Sequence, residues 1–241
     1  MAIRTCAIDL LSHIIKTAAW RHMQSAYKLP ISFDPDPIAA EVSKAESRSA
    51  WIDHWADTSA IPGTWVFIPL IAGPGDLPEA IRSERDDAPR SMPLLAELPH
   101  SRSLIDAFHT KVMRARLMKL KAGAVIKEHR DYAYFGGQRW SFERGRIRIH
   151  IPIITGANVF WMLNGKRIDM KAGEAWYVNV CRPHSVENRG DTDRIHLVLE
   201  TEVNEWLRSL FPPETLRDRL WGTALRNLEP LLWNLYKSIR A

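Results

Sequence analysis

From Val112 onward the chain runs as short apolar segments separated by turn residues, with no helix-length stretch between them, and this pattern constrains the fold most. Val112 to Leu120 reads as a strand closed by Ala122-Gly123. Arg146 to Ile154 alternates Arg146, Arg148 and His150 with Ile147, Ile149 and Ile151, so one set of side chains faces inward and the other outward. Val159 to Leu163 and Arg167 to Met170 flank Asn164-Gly165, the strongest short hairpin signal. Ala175 to Val180 and Arg194 to Glu200 complete the set. About six or seven short strands joined mostly by turns predict a mainly β fold with flanking helices: an antiparallel jelly-roll barrel, closed or built of two sheets. A parallel sheet would need helical crossovers, and none intervene.

The flanks differ. Upstream, Ile8, Leu11, Ile14 and Ile15 recur at helical spacing, as do Ile38, Val42 and Ala45, among proline-rich turns. Thr64 to Ile71 is apolar and partly β-branched and reads as a strand. Pro69 within it cannot donate to a ladder, which predicts an edge position. Beyond Thr201 the pattern is helical again, through Trp206, Leu210, Leu216, Leu220, Leu228, Leu232 and Leu235. The expectation is one domain over 1–241, with a mixed helical part (1–111), a jelly-roll core (112–200) and C-terminal helices (201–241). Those last helices pack on the barrel or, alternatively, form a homodimer interface.

Formal net charge is +5 over 241 residues, but the arginines are interleaved with acids, as in Ser83 to Arg90, rather than gathered into a basic tract. That argues against a nucleic-acid partner and is compatible with small anionic ligands. Cys6 and Cys181 are too few for a disulfide framework and fit a reducing, cytoplasmic setting. His13 and Lys16 interrupt the first apolar stretch short of a signal core, and no run approaches the roughly 18 apolar residues needed to span a bilayer.

The candidate chemistry sits in the strand-rich part. In an extended segment residues two apart share a face, so His129 and Asp131 can reach one ion. Alone, His129-Arg130-Asp131 is weak evidence, and a solvated charged turn explains it. His184 can return beside this pair by antiparallel pairing. Two imidazoles and one carboxylate on one side of an ion leave the opposite positions open, as oxygen-activating non-haem Fe(II) sites require. Arg194 opens an otherwise apolar strand. An inward arginine there predicts a carboxylate ligand, because an unpaired buried charge is costly and a guanidinium matches a carboxylate through paired hydrogen bonds. The competing readings turn it outward or pair it with Glu200 or Glu187.

The segments Gly123 to Asp131, Arg146 to Pro152, Gly173 to Tyr177, Pro183 to Asn188 and Arg194 to Leu197 resemble the aspartyl/asparaginyl β-hydroxylase family of Fe(II)/2-oxoglutarate dioxygenases, which includes bacterial cis-proline hydroxylases. The resemblance implies a double-stranded β-helix. It implies His129, Asp131 and His184 as iron ligands and catalytic centre, Arg194 as partner of the distal carboxylate of 2-oxoglutarate, and Arg148 and His150 as residues near that cosubstrate. It further implies use of O₂ to hydroxylate an unactivated carbon of a small-molecule substrate, an amino acid, its derivative or a peptide, with release of succinate and CO₂. Some animal members lack the carboxylate ligand. Asp131 places this chain nearer the bacterial amino-acid hydroxylases.

The loop Tyr132 to Trp140, with Gly136-Gly137 as hinge, reads either as a cover over the metal or as an ordinary aromatic turn, and Arg139 and Arg144 are candidates for a substrate carboxylate. Two other functions share such a barrel: a metal-dependent cupin enzyme that does not use 2-oxoglutarate, and a non-catalytic jelly-roll binding module.

Overall fold

In the computed structural model, residues 25–54, 61–73, 76, 88–131, 142 and 145–213 are described. Residues 25–211 form one compact unit; the other, 1–24 and 212–241, lies almost wholly outside the described residues. The helical patterns at Ile8 to Ile15 and Leu216 to Leu235 fall there.

The β-rich segments form strands β1 (Ala26–Ser32), β2 (Ile52–Asp53), β3 (Trp65–Ala72), β4 (Arg90–Ser91), β5 (Val112–Leu120), β6 (Val125–His129), β7 (Arg146–Ile154), β8 (Val159–Leu163), β9 (Lys166–Ile168), β10 (Glu174–Val178), β11 (His184–Asn188) and β12 (Arg194–Glu202). They pair antiparallel into a large sheet, β1-β10-β7-β12-β5-β3-β2 with β4 also on β3, and a small one, β6-β11-β8-β9. Of the two forms the sequence allows, this is the two-sheet jelly roll and not a closed barrel. The hairpin between β8 and β9 turns at Asn164 (φ 51) and Gly165 (φ 75), the positive pair that matches the twist of the flanking strands.

Strand β3 lies one place in from the sheet edge. Its outer side is covered at one end by β2, with Ile52 opposite Phe67, and at the other by β4, with Ile71 opposite Ser91. Pro69 falls between them, where no ladder donor is needed. Strand β1 occupies the opposite edge, and its Pro30 lies in the register shift between Lys28 and Ser32.

Both faces of the large sheet are buried. On one side Ile147, Ile149, Ile151, Leu197 and Leu199 are buried; helix α1 (Asp36–Arg48) packs on β7 and on helix α2 (Pro99–Asp106), and the two helices bury Ile38, Val42 and Ala45, and Leu104 and Ile105. The isoleucine row of Arg146 to Ile154 is therefore covered by helices instead of facing solvent. Glu41 of α1 caps α2: its carboxylate accepts the backbone N–H groups of His100 (2.7 Å) and Ser101 (2.8 Å), two of the donors a helix start leaves unpaired. A third helix, α3 (Glu205–Ser209), is capped by Asn204, whose Oδ1 accepts the Leu207 N–H at 2.9 Å.

Between the sheets, Trp65, Phe67, Met118, Leu120, Ile126, Trp161, Leu163, Val186 and Val198 pack together. Alternation puts a row of polar side chains into the same inter-sheet space: Arg148 and His150 from β7, Arg194, His196 and Glu200 from β12, and Arg114 and Arg116 from β5. No helix of the described residues is long and apolar enough to cross a membrane.

Candidate metal centre

Strand β11 pairs with β6 so that His184 lies directly opposite His129, and their rings come to 4.2 Å between centroids. Asp131 follows two residues after His129, held by its N–H to the Val180 carbonyl at 2.9 Å. Its Oδ1 lies 3.2 Å from His129 Nε2 and 3.9 Å from His184 Nε2. One ligand atom from each residue falls within 4.8 Å of the others. A metal with bonds of about 2.1 Å sets adjacent donors about 3 Å apart, so modest contraction fits the three around one ion.

The backbone chooses the tautomer. His129 Nδ1 lies 2.8 Å from the Lys127 carbonyl and His184 Nδ1 2.9 Å from that of Arg182. Each Nδ1–H therefore donates outward and leaves an Nε2 lone pair facing Asp131, the outer hydrogen bond that orients imidazole ligands in metal sites. Buried His129 Nε2 has no hydrogen-bond partner, which a cation would satisfy. Burial pushes His184 down to about 4, so it is neutral and ready to ligate at neutral pH. Burial opposes ionisation of Asp131, but the Arg148 guanidinium beside it outweighs burial and holds the carboxyl well below the usual range. Trp161 lies parallel to His184, 5.4 Å between centroids at 4°.

A buried polar cluster adjoins this triad through Trp161, which stacks on His184 and meets His150 edge-on at 5.6 Å between centroids. Arg194 is 3% exposed, and no carboxylate among the described residues pairs with it; its Nη2–H donates to His196 Nδ1 at 2.7 Å. Desolvation presses its pKa down to about 9, the signature of a buried cation without a counter-anion. Arg194 Nε, both ring nitrogens of His150, His196 Nε2 and Trp161 Nε1 are buried without hydrogen-bond partners. Unpaired buried polar groups are rare, and this many in one space fit a polar ligand carrying negative charge.

Arg148 is already engaged. It donates through Nη1 to Asp131 Oδ2, and through Nη2 (2.6 Å) and Nε (3.2 Å) to Glu200 Oε1. Glu200 also accepts from Arg114 Nη1 at 2.6 Å, and Arg114 Nε reaches Asp76 Oδ2 at 2.8 Å. Asp76 in turn pairs with Arg116. Glu200 is thus the partner of Arg148 and Arg114 and not of Arg194. Glu187 is half-buried and pairs with Arg189.

The model of aspartyl/asparaginyl β-hydroxylases matches residues 34–203, most of the described fold and all of the residues above. The chain belongs to this family. A curated relative, L-proline cis-4-hydroxylase of Rhizobium meliloti (strain 1021), is 25% identical over 197 residues, 78% of this chain, and the match spans 66% of that relative's length. Among solved structures, the non-heme alpha ketoglutarate dependent carbocyclase SnoK from nogalamycin biosynthesis aligns over 80% of this chain and 89% of its own, with a TM-score of 0.51 and 10% identity. That likeness is one of fold.

Within the family pattern the structure brings His129, Asp131 and His184 together, and sets Arg194 and His150 in the adjoining polar cluster with Arg148 bridging to Asp131. The loop Tyr132 to Trp140, with Arg139, and Arg144 beyond it, lie outside the described residues. Sequence reasoning did not single out Trp161, His196, Arg114, Arg116 or Asp76. One signal was available: Arg114-Ala115-Arg116 repeats in β5 the arginine alternation of β7.

Proposed function

We propose that this protein is an Fe(II)- and 2-oxoglutarate-dependent dioxygenase that hydroxylates an unactivated carbon of an amino acid or a close derivative, releasing succinate and CO₂. The observation that carries this reading is the buried cation of Arg194, with no counter-anion among the described residues, linked through His196, His150 and Trp161 to a two-histidine, one-carboxylate triad. A metal site alone would serve many reactions. A guanidinium kept without a counter-anion beside it asks for a carboxylate-bearing cosubstrate.

His129 and His184 through Nε2, and Asp131 through Oδ1, would hold the iron, which when bound supplies activation of O₂ coupled to oxidative decarboxylation of 2-oxoglutarate. Arg194 would bind the distal carboxylate, and His196 orients its guanidinium by accepting from Nη2. His150, with both ring nitrogens free, offers a donor to the cosubstrate from β7. Trp161, Phe67 and Met118 exclude water from the space around the ligands. The name of the Rhizobium relative supports an amino acid as the substrate class.

The test is aerobic incubation of the full chain with Fe(II), 2-oxoglutarate and a panel of free and derivatised amino acids, reading succinate and hydroxylated product. Stoichiometric formation of both with one substrate class is expected, together with its loss in His184→Ala. Product formation without consumption of 2-oxoglutarate would overturn the assignment.

A further inference from the structure

Asp131 presents its two oxygens to different partners. Oδ1 faces both imidazole Nε2 atoms, while Oδ2 is taken by Arg148. Arg148 in turn cannot rotate freely, because its Nε and Nη2 both end on one oxygen of Glu200. Glu200 is 2% exposed, and its other oxygen is held by Arg114. Arg114 is braced against Asp76, which also accepts the Gly73 N–H at 2.8 Å and pairs with Arg116. From the triad inward, charges alternate in sign: Asp131, Arg148, Glu200, Arg114, Asp76, Arg116. Four of the six are buried and Asp131 and Arg148 half-buried, which is costly unless each charge is flanked by its opposite, and here each is.

We infer that Glu200, acting through Arg148, is a positioning residue that makes Asp131 a one-oxygen ligand. The inference rests on the metal-site reading above and adds a division of labour within the carboxylate. A planar guanidinium gripped on two of its nitrogens by Glu200 can offer Nη1 in one direction only, toward Oδ2. Without that grip the carboxylate is free to turn and present both oxygens to the metal, which takes up a coordination position that open-site chemistry requires, or to swing away from it. Outer partners of metal ligands typically contribute 10–100-fold in metal affinity, so the effect is measurable at the metal itself.

The experiment uses the full chain and Ni(II) alone, without oxygen or cosubstrate, in competition with a chromophoric chelator. Ni(II) binds imidazole pairs strongly enough for variants lacking the carboxylate to remain titratable. Glu200→Gln is expected to weaken Ni(II) binding about tenfold or more. Placed on Asp131→Asn it is expected to change the affinity by less than about twofold, since no carboxylate is left to position. A residue needed only for the fold would give equal losses in both backgrounds, and that outcome, or full affinity in a folded Glu200→Gln, overturns the inference. Should Glu200→Gln fail to fold, Arg148→Gln, which leaves Glu200 paired to Arg114, is read by the same cycle with the same expectation. Absence of Ni(II) binding by the unaltered protein would overturn the metal reading and this inference with it, whereas binding with additive losses overturns only the role of Glu200.

Discussion

Arg194 shows what a binding residue costs the empty protein. A guanidinium 3% exposed, answered among the described residues only by a neutral imidazole, holds its charge at a desolvation penalty large enough to bring its pKa down to about 9. Replacing it with an apolar side chain of similar length removes that penalty. Arg194→Met is therefore expected to stabilise the ligand-free chain by on the order of 1–4 kcal/mol, while its 2-oxoglutarate affinity falls by a hundredfold or more. Thermal melts with and without the cosubstrate check both halves; a variant that melts lower than the parent in the absence of ligand would show that Arg194 stabilises the fold. The sequence carried part of this site. His129, Asp131, His184 and Arg194 stand in local patterns whose spacing has a chemical meaning. The partners of Arg148 and Arg114 did not show, because Glu200 is set opposite both arginines by sheet register and Asp76 is brought to Arg114 by the turn it forms with Gly73 after β3.

Among elements, strands with strong alternation were legible and strands defined by their neighbours were not. β5, β7, β12 and the β8–β9 hairpin follow from residue order. β11 holds a single aliphatic residue in His184–Asn188, and exists because β6 and β8 pair with it on either side. β1 is likewise an edge added by partners, and its junction with the sheet depends on one backbone position. Gly173 has φ +81, and a Cβ there would lie 2.4 Å from the Phe33 carbonyl oxygen. Its own carbonyl accepts from Phe33 N–H at 2.8 Å, and its N–H donates to Pro152 at 3.1 Å, so it ties β1 and β10 to β7. Gly173→Ala meets both the left-handed penalty of about 1–2 kcal/mol and a backbone clash. The expected result is a loss of at least that much in urea unfolding, with hydrogen exchange at Ala26–Ser32 accelerated more than at β5 or β12. Uniform acceleration across the sheet would contradict the placement of the damage at that edge.

At the scale of the whole molecule, buried imidazoles and the buried ion chain act on stability in different pH windows, and their sizes decide which is seen first. His54, stacked on Trp65 at 3.8 Å, has its pKa pushed down to about 3 by burial first and then by the charges of Arg116 and Arg148. His150 and His196 are pushed well below their usual value by burial, with Arg194 beside them. For each, the unfolded chain takes up a proton near pH 6.5 while the folded chain does not, so stability falls as the pH drops below about 6.5. Three such groups give a slope of about 4 kcal/mol per pH unit at most, against a total of about 5–15 kcal/mol for a typical domain. Glu200 acts lower. Burial opposes its ionisation, but Arg148, Arg114 and Arg116 outweigh it and hold its pKa to about 2, so its contribution is intact above about 4.5 and is lost as the pH falls from there toward 2. The histidines therefore unfold the metal-free chain before the carboxylate begins to titrate. Far-ultraviolet circular dichroism of the metal-free protein is expected to show an acid transition between about pH 6 and 4, moved downward in His54→Gln. A midpoint below about 3.5, unmoved by that substitution, would mean that the ion chain and not the imidazoles limits stability in acid.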